Sequence, residues 1–153
     1  MNKWTKKLMG LVCALALMTL CLATAVAENI SFAGGSGTKE DPYQIETLEQ
    51  LQAMANDMAA SYVLTADIDA GSLEAWTPIG TLVATDEAGE TPDPAYAFTG
   101  TFDGNGHTIS NLNVVGTQML SGLFGVTANA TISNVTFKNL TVEGSVMVGA
   151  IGY

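Results

Sequence analysis

The sequence contains no arginine, and its few cysteines and most of its lysines lie at the amino terminus. Cys13, Cys21 and three of the five lysines precede residue 28, whereas all fifteen acidic residues follow residue 27. Nucleic acids and anionic lipids are bound through clustered Lys and Arg, so the charge excludes both as partners. Without cysteine, the region after residue 27 has no disulfides or thiolate metal sites, and packing must stabilise it.

The first 27 residues have the pattern of a secretion signal. Three lysines within Met1–Lys7 precede the apolar run Leu8–Ala25, and Ala25-Val26-Ala27 supplies the small-x-small pattern that signal peptidases recognise. We therefore predict a signal peptide over 1–27 with cleavage after Ala27, a secreted or cell-surface location, and no membrane insertion after cleavage. An uncleaved membrane anchor is the alternative, because the apolar run is barely long enough to span a bilayer.

Residues 28–61 are expected to form an amino-terminal strand and a capping helix. A short extended stretch ends at Ile45, and Thr47 followed by Gln50 is a capping-box pattern that starts a helix. We predict this helix over Thr47–Ala60, with one apolar stripe packed on the core. The predicted stripe consists of Leu48, Leu51, Met54, Ala55 and Met58.

Helical spacing disappears after Ser61, and short runs rich in β-branched and aromatic residues replace it. Strands are predicted over Tyr62–Ile68, Trp76–Gly80 and Phe98–Phe102. The acidic, proline-containing stretch Thr81–Ala97 between the last two predicts a solvated surface loop.

A sequence repeat indicates how the strands are arranged. Thr108–Val114 (TISNLNV) recurs as Thr131–Phe137 (TISNVTF) at an offset of 23 residues. Asn111 and Asn134 tolerate the left-handed backbone of a sharp corner, and Asn139 makes another. Short strands separated by such corners are typical of a parallel β-helix whose coils contain roughly 20 to 25 residues. Residues 62–153 are therefore predicted to form β-helix coils beneath the capping helix.

Two glycine-bracketed apolar pairs accompany the repeat. Adjacent coils approach closely where glycines flank a turn, so we place both pairs on the same wall of successive coils. Two glycine-turn strands of a β-sandwich are the alternative. The pairs are Gly122-Leu123-Phe124-Gly125 and Gly149-Ala150-Ile151-Gly152.

The carboxyl-terminal stretch Val146–Tyr153 is apolar, and no polar cap follows it. Natural solenoids normally seal an open end. We therefore expect the β-helix to be incomplete at this end, as in a truncated product or a fragment of a longer array, and to self-associate through its last coil.

The series GTKEDPYQIETLEQL, YVLTADID, WTPIG, FTGTFDGNGHTISNLNV, SGLFG and ISNVTFKNLTV resembles the GLUG-motif proteins. The resemblance runs from about Gly35 to the carboxyl terminus. It implies a secreted bacterial surface protein with a pectate-lyase-like right-handed β-helix, similar to large adhesin-like proteins and to the noncatalytic regions of immunoglobulin A peptidases. Gly149–Gly152 departs from the motif, with Ala150 in place of leucine.

Catalytic candidates are few. His107 is the one histidine and lies in the turn sequence DGNGHT, and no H-E-x-x-H pattern occurs. Asp67, Asp69 and Asp103 could pair for glycan hydrolysis or bind calcium, or they could cap strand ends and corner amides. Tyr96, beside the acidic loop, is the candidate for stacking on sugars, whereas Trp76 and Phe98 are expected in the core.

We expect a noncatalytic secreted or cell-surface scaffold of the adhesin-like kind, with no cofactor. The alternative is a glycan-binding or glycan-cleaving β-helix that uses the acidic site, since parallel β-helices often bind polysaccharides along their flank. The expected partner is a surface protein or a glycan, and the sequence identifies neither.

Overall fold

The fold is described from a computed structural model over residues 30–81, 94–115, 120–144 and 147–151. The predicted signal peptide, residues 82–93 of the predicted acidic loop, Val146, Gly152 and Tyr153 lie outside the described residues.

Short strands dominate the described chain. One α-helix, α1 (Leu48–Ala53), continues directly into a 3-10 helix (Met54–Asn56), and a second 3-10 helix covers Pro94–Tyr96. The strands are β1 (Tyr43–Ile45), β2 (Ser61–Leu64), β3 (Ile68–Asp69), β4 (Thr101–Asp103), β5 (Thr108–Ser110), β6 (Asn113–Val114), β7 (Leu120–Ser121), β8 (Thr131–Ser133), β9 (Thr136–Lys138), β10 (Thr141–Val142) and β11 (Met147–Val148).

The named strands pair only in parallel. Their orders are β1-β2-β4-β8, β3-β5-β9, β6-β10 and β7-β11, so the chain passes from one sheet to the next and returns one layer higher. This mostly β arrangement of stacked coils is that of a β-solenoid. The β-sandwich alternative is wrong, because a sandwich of glycine-turn hairpins would pair its strands antiparallel.

The predicted repeat register is wrong. Thr131 pairs with Thr101, and Thr108 pairs with Thr136, so the two TISN segments do not stack on each other. They occupy two different corners of the solenoid. The pattern Ser-Asn-apolar records the local requirement of a corner, namely a left-handed residue followed by an inward apolar side chain, and both corners share that requirement.

Inward-facing side chains form the core in stacked columns. Tyr62, Phe102 and Ile132 lie in register in one sheet, and Ile68 and Ile109 lie in register in another. Tyr62 and Phe102 are 1% and 0% exposed. The core also contains Trp76 and Phe98, which confirms their predicted burial.

The amino-terminal end of the core is covered by α1. Thr47 caps it, and the capping box with Gln50 is present as predicted. The helical segment is shorter than predicted and ends at Asn56, because Asp57 leaves the helical region at φ −144°. Leu51 and Met54 are fully buried, whereas Ala55, which was predicted to lie on the apolar stripe, is exposed.

The strands predicted after Ser61 are also longer than the observed ones. Tyr62–Ile68 is divided between β2 and β3 by the segment 65–67, Trp76–Gly80 contributes a single bridge at Ile79, and Phe98–Phe102 is divided between a bridge at Phe98 and β4. One side of a coil accommodates only two to four residues of strand here, so each long apolar run turns a corner.

Candidate functional site

The three candidate aspartates lie at corners of the solenoid, where each carboxylate accepts hydrogen bonds from a neighbouring coil. Asp69 ends β3, and its Oδ1 accepts from Gly71 N at 2.9 Å and from Asn111 Nδ2 at 2.8 Å. Asn139 Nδ2 in turn donates to Asn111 Oδ1 at 3.0 Å. We call Asp69, Asn111 and Asn139 the amide ladder.

Asp103 has the same role at the preceding corner. Its Oδ1 accepts from Asn105 N at 2.9 Å and from Asn134 Nδ2 at 2.9 Å. Asn111 and Asn134 have φ values of 57° and 53°, so both adopt the predicted left-handed conformation. Their amides thus reach the carboxylate of the coil below while their backbones turn the corner.

Asp67 joins the first coil to the turn that carries the histidine. Its Oδ1 accepts from Thr108 N at 2.9 Å and lies 3.2 Å from His107 Nδ1. The His107 side chain is 32% exposed and that of Asp67 is 75% exposed, so water screens this pair. The histidine is therefore held at the surface by a carboxylate rather than directed at a nucleophile.

Hydrogen bonding lowers the pKa of all three carboxyl groups. For Asp67 the main cause of the lowered pKa is the Thr108 backbone N–H, followed by the His107 side chain. For Asp69 and Asp103 the pKa is lowered chiefly by the asparagine amides at Asn111 and Asn134. All three side chains are therefore ionised at neutral pH.

A shallow groove of about 400 Å³ runs along the outer face of the β3-β5-β9 sheet. Two of the candidate aspartates line it together with hydroxyl, amide and lysine side chains, so its surface is polar. The lining residues are Asp67, Asp69, Thr108, Ser110, Asn111, Lys138 and Asn139.

Tyr96 lies in the second 3-10 helix and is 44% exposed. It does not line the groove, so the structure does not bring it together with the aspartates there. Asp103 is also absent from that lining. The sequence candidates thus fall into separate places on the described surface.

The glycine motifs lie on another side of the solenoid. Ile79 N donates to Leu123 O at 3.1 Å, and Leu123 N donates to Ala150 O at 3.1 Å. The second motif therefore stacks on the first, and the segment around Ile79 makes a third layer. We call Ile79–Gly80, Gly122–Gly125 and Gly149–Ile151 the glycine wall. Leu123 and Phe124 are both fully buried in it.

No metal cluster is visible in the described ranges, where no three His, Cys, Asp or Glu residues are grouped closely enough to hold an ion. The described residues likewise contain no helix long and apolar enough to cross a membrane.

Sequence reasoning missed three members of the polar surface. Asn139 was assigned a corner but not a place in the ladder, Lys138 was not connected with the groove, and His107 was not paired with Asp67. The signal for the ladder was present, because an asparagine follows the strand at Asn111 and again at Asn139. Recognising it required the correct stacking register, which the offset of 23 obscured.

Two long proteins are similar in sequence to this chain. Halomucin of Haloquadratum walsbyi is 41% identical over 132 residues, and a protein of Evansella cellulosilytica described as "Putative Gly-rich membrane protein" is 36% identical over 138 residues. The alignments cover 77% and 82% of this chain but only 1% and 14% of those relatives. No family model matches the chain. No solved structure matches it either. The chain is therefore homologous to a small part of two much larger proteins.

Proposed function

We propose that this protein is a noncatalytic secreted or cell-surface scaffold of the adhesin-like kind, built as a right-handed β-solenoid of the GLUG type. The observation that carries the proposal is the use of the candidate carboxylates. Asp67, Asp69 and Asp103 each direct Oδ1 at donors of a neighbouring coil, so the groups best suited to chemistry serve to hold the coils together.

The protonation state of these groups supports the same proposal. A glycoside hydrolase needs one carboxylic acid whose raised pKa keeps it protonated to donate to the leaving group. The pKa is instead lowered at all three aspartates. A lyase commonly needs a basic residue to abstract a proton, and after residue 27 the sequence has only Lys39, Lys138 and His107.

The sequence relatives support a surface location. Both are far longer than this chain, as expected for extended repetitive proteins, and one is described as a membrane protein. The basic and apolar amino terminus is the proposed export signal. We expect the protein purified from the envelope or medium of an expressing bacterium to begin at Glu28, and amino-terminal sequencing measures this directly. A chain that retains its amino terminus would indicate an anchored protein instead.

The scaffold proposal is tested by separating stability from binding. We expect Asp69→Asn and Asp103→Asn to lower the melting temperature slightly, and neither the wild type nor the variants to release sugar from acidic or neutral polysaccharides. Asp41→Asn is the matched control, because it removes the same charge from a position outside both corners. Sugar release by the wild type that is lost in either corner variant would overturn the proposal.

Glycan binding is the second candidate function, and the polar groove on the β3-β5-β9 sheet favours it. Its hydroxyl and amide side chains and Lys138 can donate to sugar hydroxyls or to an acidic sugar. A glycan array distinguishes this function from a passive scaffold. Specific binding that is abolished by Lys138→Ala but retained in Lys39→Ala would establish the groove as a glycan site, and Tyr96→Ala tests the exposed tyrosine separately.

A further inference from the structure

The last described coil exposes strand edges that the earlier coils cover. β8 is the final strand of the order β1-β2-β4-β8, and β9 is the final strand of β3-β5-β9. β10 and β11 each pair with one strand, β6 and β7 respectively. Among the described residues, these four edges have a hydrogen-bonded sheet neighbour on one side only. Such an edge is a template for another strand.

The core side chains of the same coil are incompletely covered. Phe102 and Ile109 in the coil below are fully buried, whereas their register partners Ile132 and Phe137 are only partly buried. Val148 and Ile151 are 50% and 39% exposed. The open face therefore combines an apolar centre with unpaired strand edges. Other partly buried members of this centre are Val135, Leu140 and Val142.

The opposite end of the solenoid is closed. The free side of β1 is paired, because Gln44 N donates to Gly34 O at 2.9 Å and Ala33 N donates to Gln44 O at 3.0 Å. α1 then covers the core with Leu51 and Met54, both fully buried. A second copy consequently finds no matching edge at this end, so head-to-tail stacking is blocked.

Charge favours contact between two copies of the open coil. Residues 131–151 contain one lysine, Lys138, and one acidic residue, Glu143, whereas fourteen acidic residues and Lys39 lie between residues 28 and 130. Two acidic molecules repel each other over most of their surface, but this coil is formally neutral. The least repulsive approach therefore brings the open coils together.

We infer that the protein forms a closed end-to-end dimer through residues 131–151, related by a two-fold axis. Because the same face of each copy is used and the other end is capped, association stops at two chains and does not continue into a filament. Across such an axis the edge strands of the two copies run antiparallel, a pairing that every exposed N–H and C=O can adopt.

Analytical ultracentrifugation of the purified wild type between 1 and about 200 μM tests this inference. We expect a reversible monomer–dimer equilibrium with no larger species. The double variant Val148→Lys, Ile151→Lys places four like charges in the symmetric interface, and we expect its dissociation constant to rise at least tenfold. Ile30→Lys is the matched control, because Ile30 is a similarly exposed apolar residue at the amino-terminal end, and its dissociation constant should equal that of the wild type.

Hydrogen exchange of the wild type at low and high concentration gives a second measurement that needs no variant. We expect slower exchange at high concentration for amides of β8 to β11 and no change for β1. A monomer at about 200 μM, an open-ended series of larger species, a dimer that dissociates with Ile30→Lys instead of the double variant, or concentration-dependent protection confined to β1 would each overturn the inference.

Discussion

The amide ladder and the glycine wall keep the same coils in register by different physical means. At the ladder, exposed side chains of Asp69, Asn111 and Asn139 connect three layers. At the wall, the backbones connect the layers directly, and a Cβ placed on Gly125 would lie 2.3 Å from Gly80 O. A side-chain connection can be lost or replaced without moving the backbone, whereas the wall has no room for an added atom. The comparison therefore predicts a tolerant corner and an intolerant wall.

The largest expected effect is that of Gly125→Ala. The added methyl would contact the Gly80 carbonyl oxygen, and separating the two layers would disturb the bonds from Gly125 N to Ile79 O and from Ile79 N to Leu123 O. We expect a loss of about 3 kcal/mol or more in the free energy of unfolding, measured by urea denaturation.

Gly106→Ala is the control for that substitution. A Cβ on Gly106 meets nothing within 4 Å, but the residue has a φ of +80°. Its cost should therefore be only the conformational one, about 1 to 2 kcal/mol. Equal losses for the two variants would show that the wall is no tighter than an exposed turn.

Trp76→Phe tests a side chain that supports the wall. The indole Nε1 donates to Leu123 O at 3.0 Å from a side chain that is almost completely buried. Phenylalanine keeps most of the apolar contact but removes this donor, so we expect a loss of about 1 to 3 kcal/mol by urea denaturation. Tyr96→Phe, at an exposed position, should change stability by less than about 0.5 kcal/mol. Similar losses for both would contradict a role for the indole bond.

Asn111→Ala and Asn111→Gly separate the two functions of the ladder residue. Alanine loses both the bonds to Asp69 and Asn139 and the side chain that tolerates a φ of 57°. Glycine loses the bonds but accepts the backbone conformation. We expect a loss of about 1 to 2 kcal/mol for alanine and a smaller one for glycine, in thermal or urea denaturation. A larger loss for glycine would show that left-handed strain contributes little at this corner.

Acidification should produce the smallest effect. The pKa of Asp67, Asp69 and Asp103 is lowered in the folded protein, so their contribution to stability is fully present above the unfolded value of about 4. It is lost as the pH falls through the lower folded values. We expect a nearly constant melting temperature between pH 7 and about 5 and a decrease below about pH 4. Asp69→Asn should reduce the slope of that decrease, whereas an unchanged slope would assign it to other carboxyl groups.

Local sequence rules predicted the features that depend on adjacent residues. The capping box at Thr47 and the left-handed corners at Asn111, Asn134 and Asn139 are confirmed, because each depends on side chain and backbone within a few positions. The burial of Trp76 and Phe98 followed equally from hydrophobicity. The pairing of the two glycine motifs was also predictable, since neighbouring coils must approach where side chains are absent.

Features that depend on which segments stack were harder to predict. The similarity between the two TISN segments was real, but it joined one corner to a different corner, and so gave the wrong register for β5 and β8. The ladder and the contact between His107 and Asp67 both follow from that register. Helix length failed for another reason, because Asp57 interrupts an otherwise favourable helical sequence and its Oδ1 accepts from Ala59 N at 3.2 Å.

The ladder also has a direction, since aspartate can only accept whereas asparagine both donates and accepts. Asp69 starts the series, Asn111 uses that acceptor and offers its own Oδ1, and Asn139 uses the acceptor of Asn111. A coil with asparagine at this position therefore satisfies the layer beneath it and leaves an identical requirement for the layer above. Duplication of such a coil within a gene needs no compensating substitution at the junction, which gives solenoids of this type a simple evolutionary route to great length.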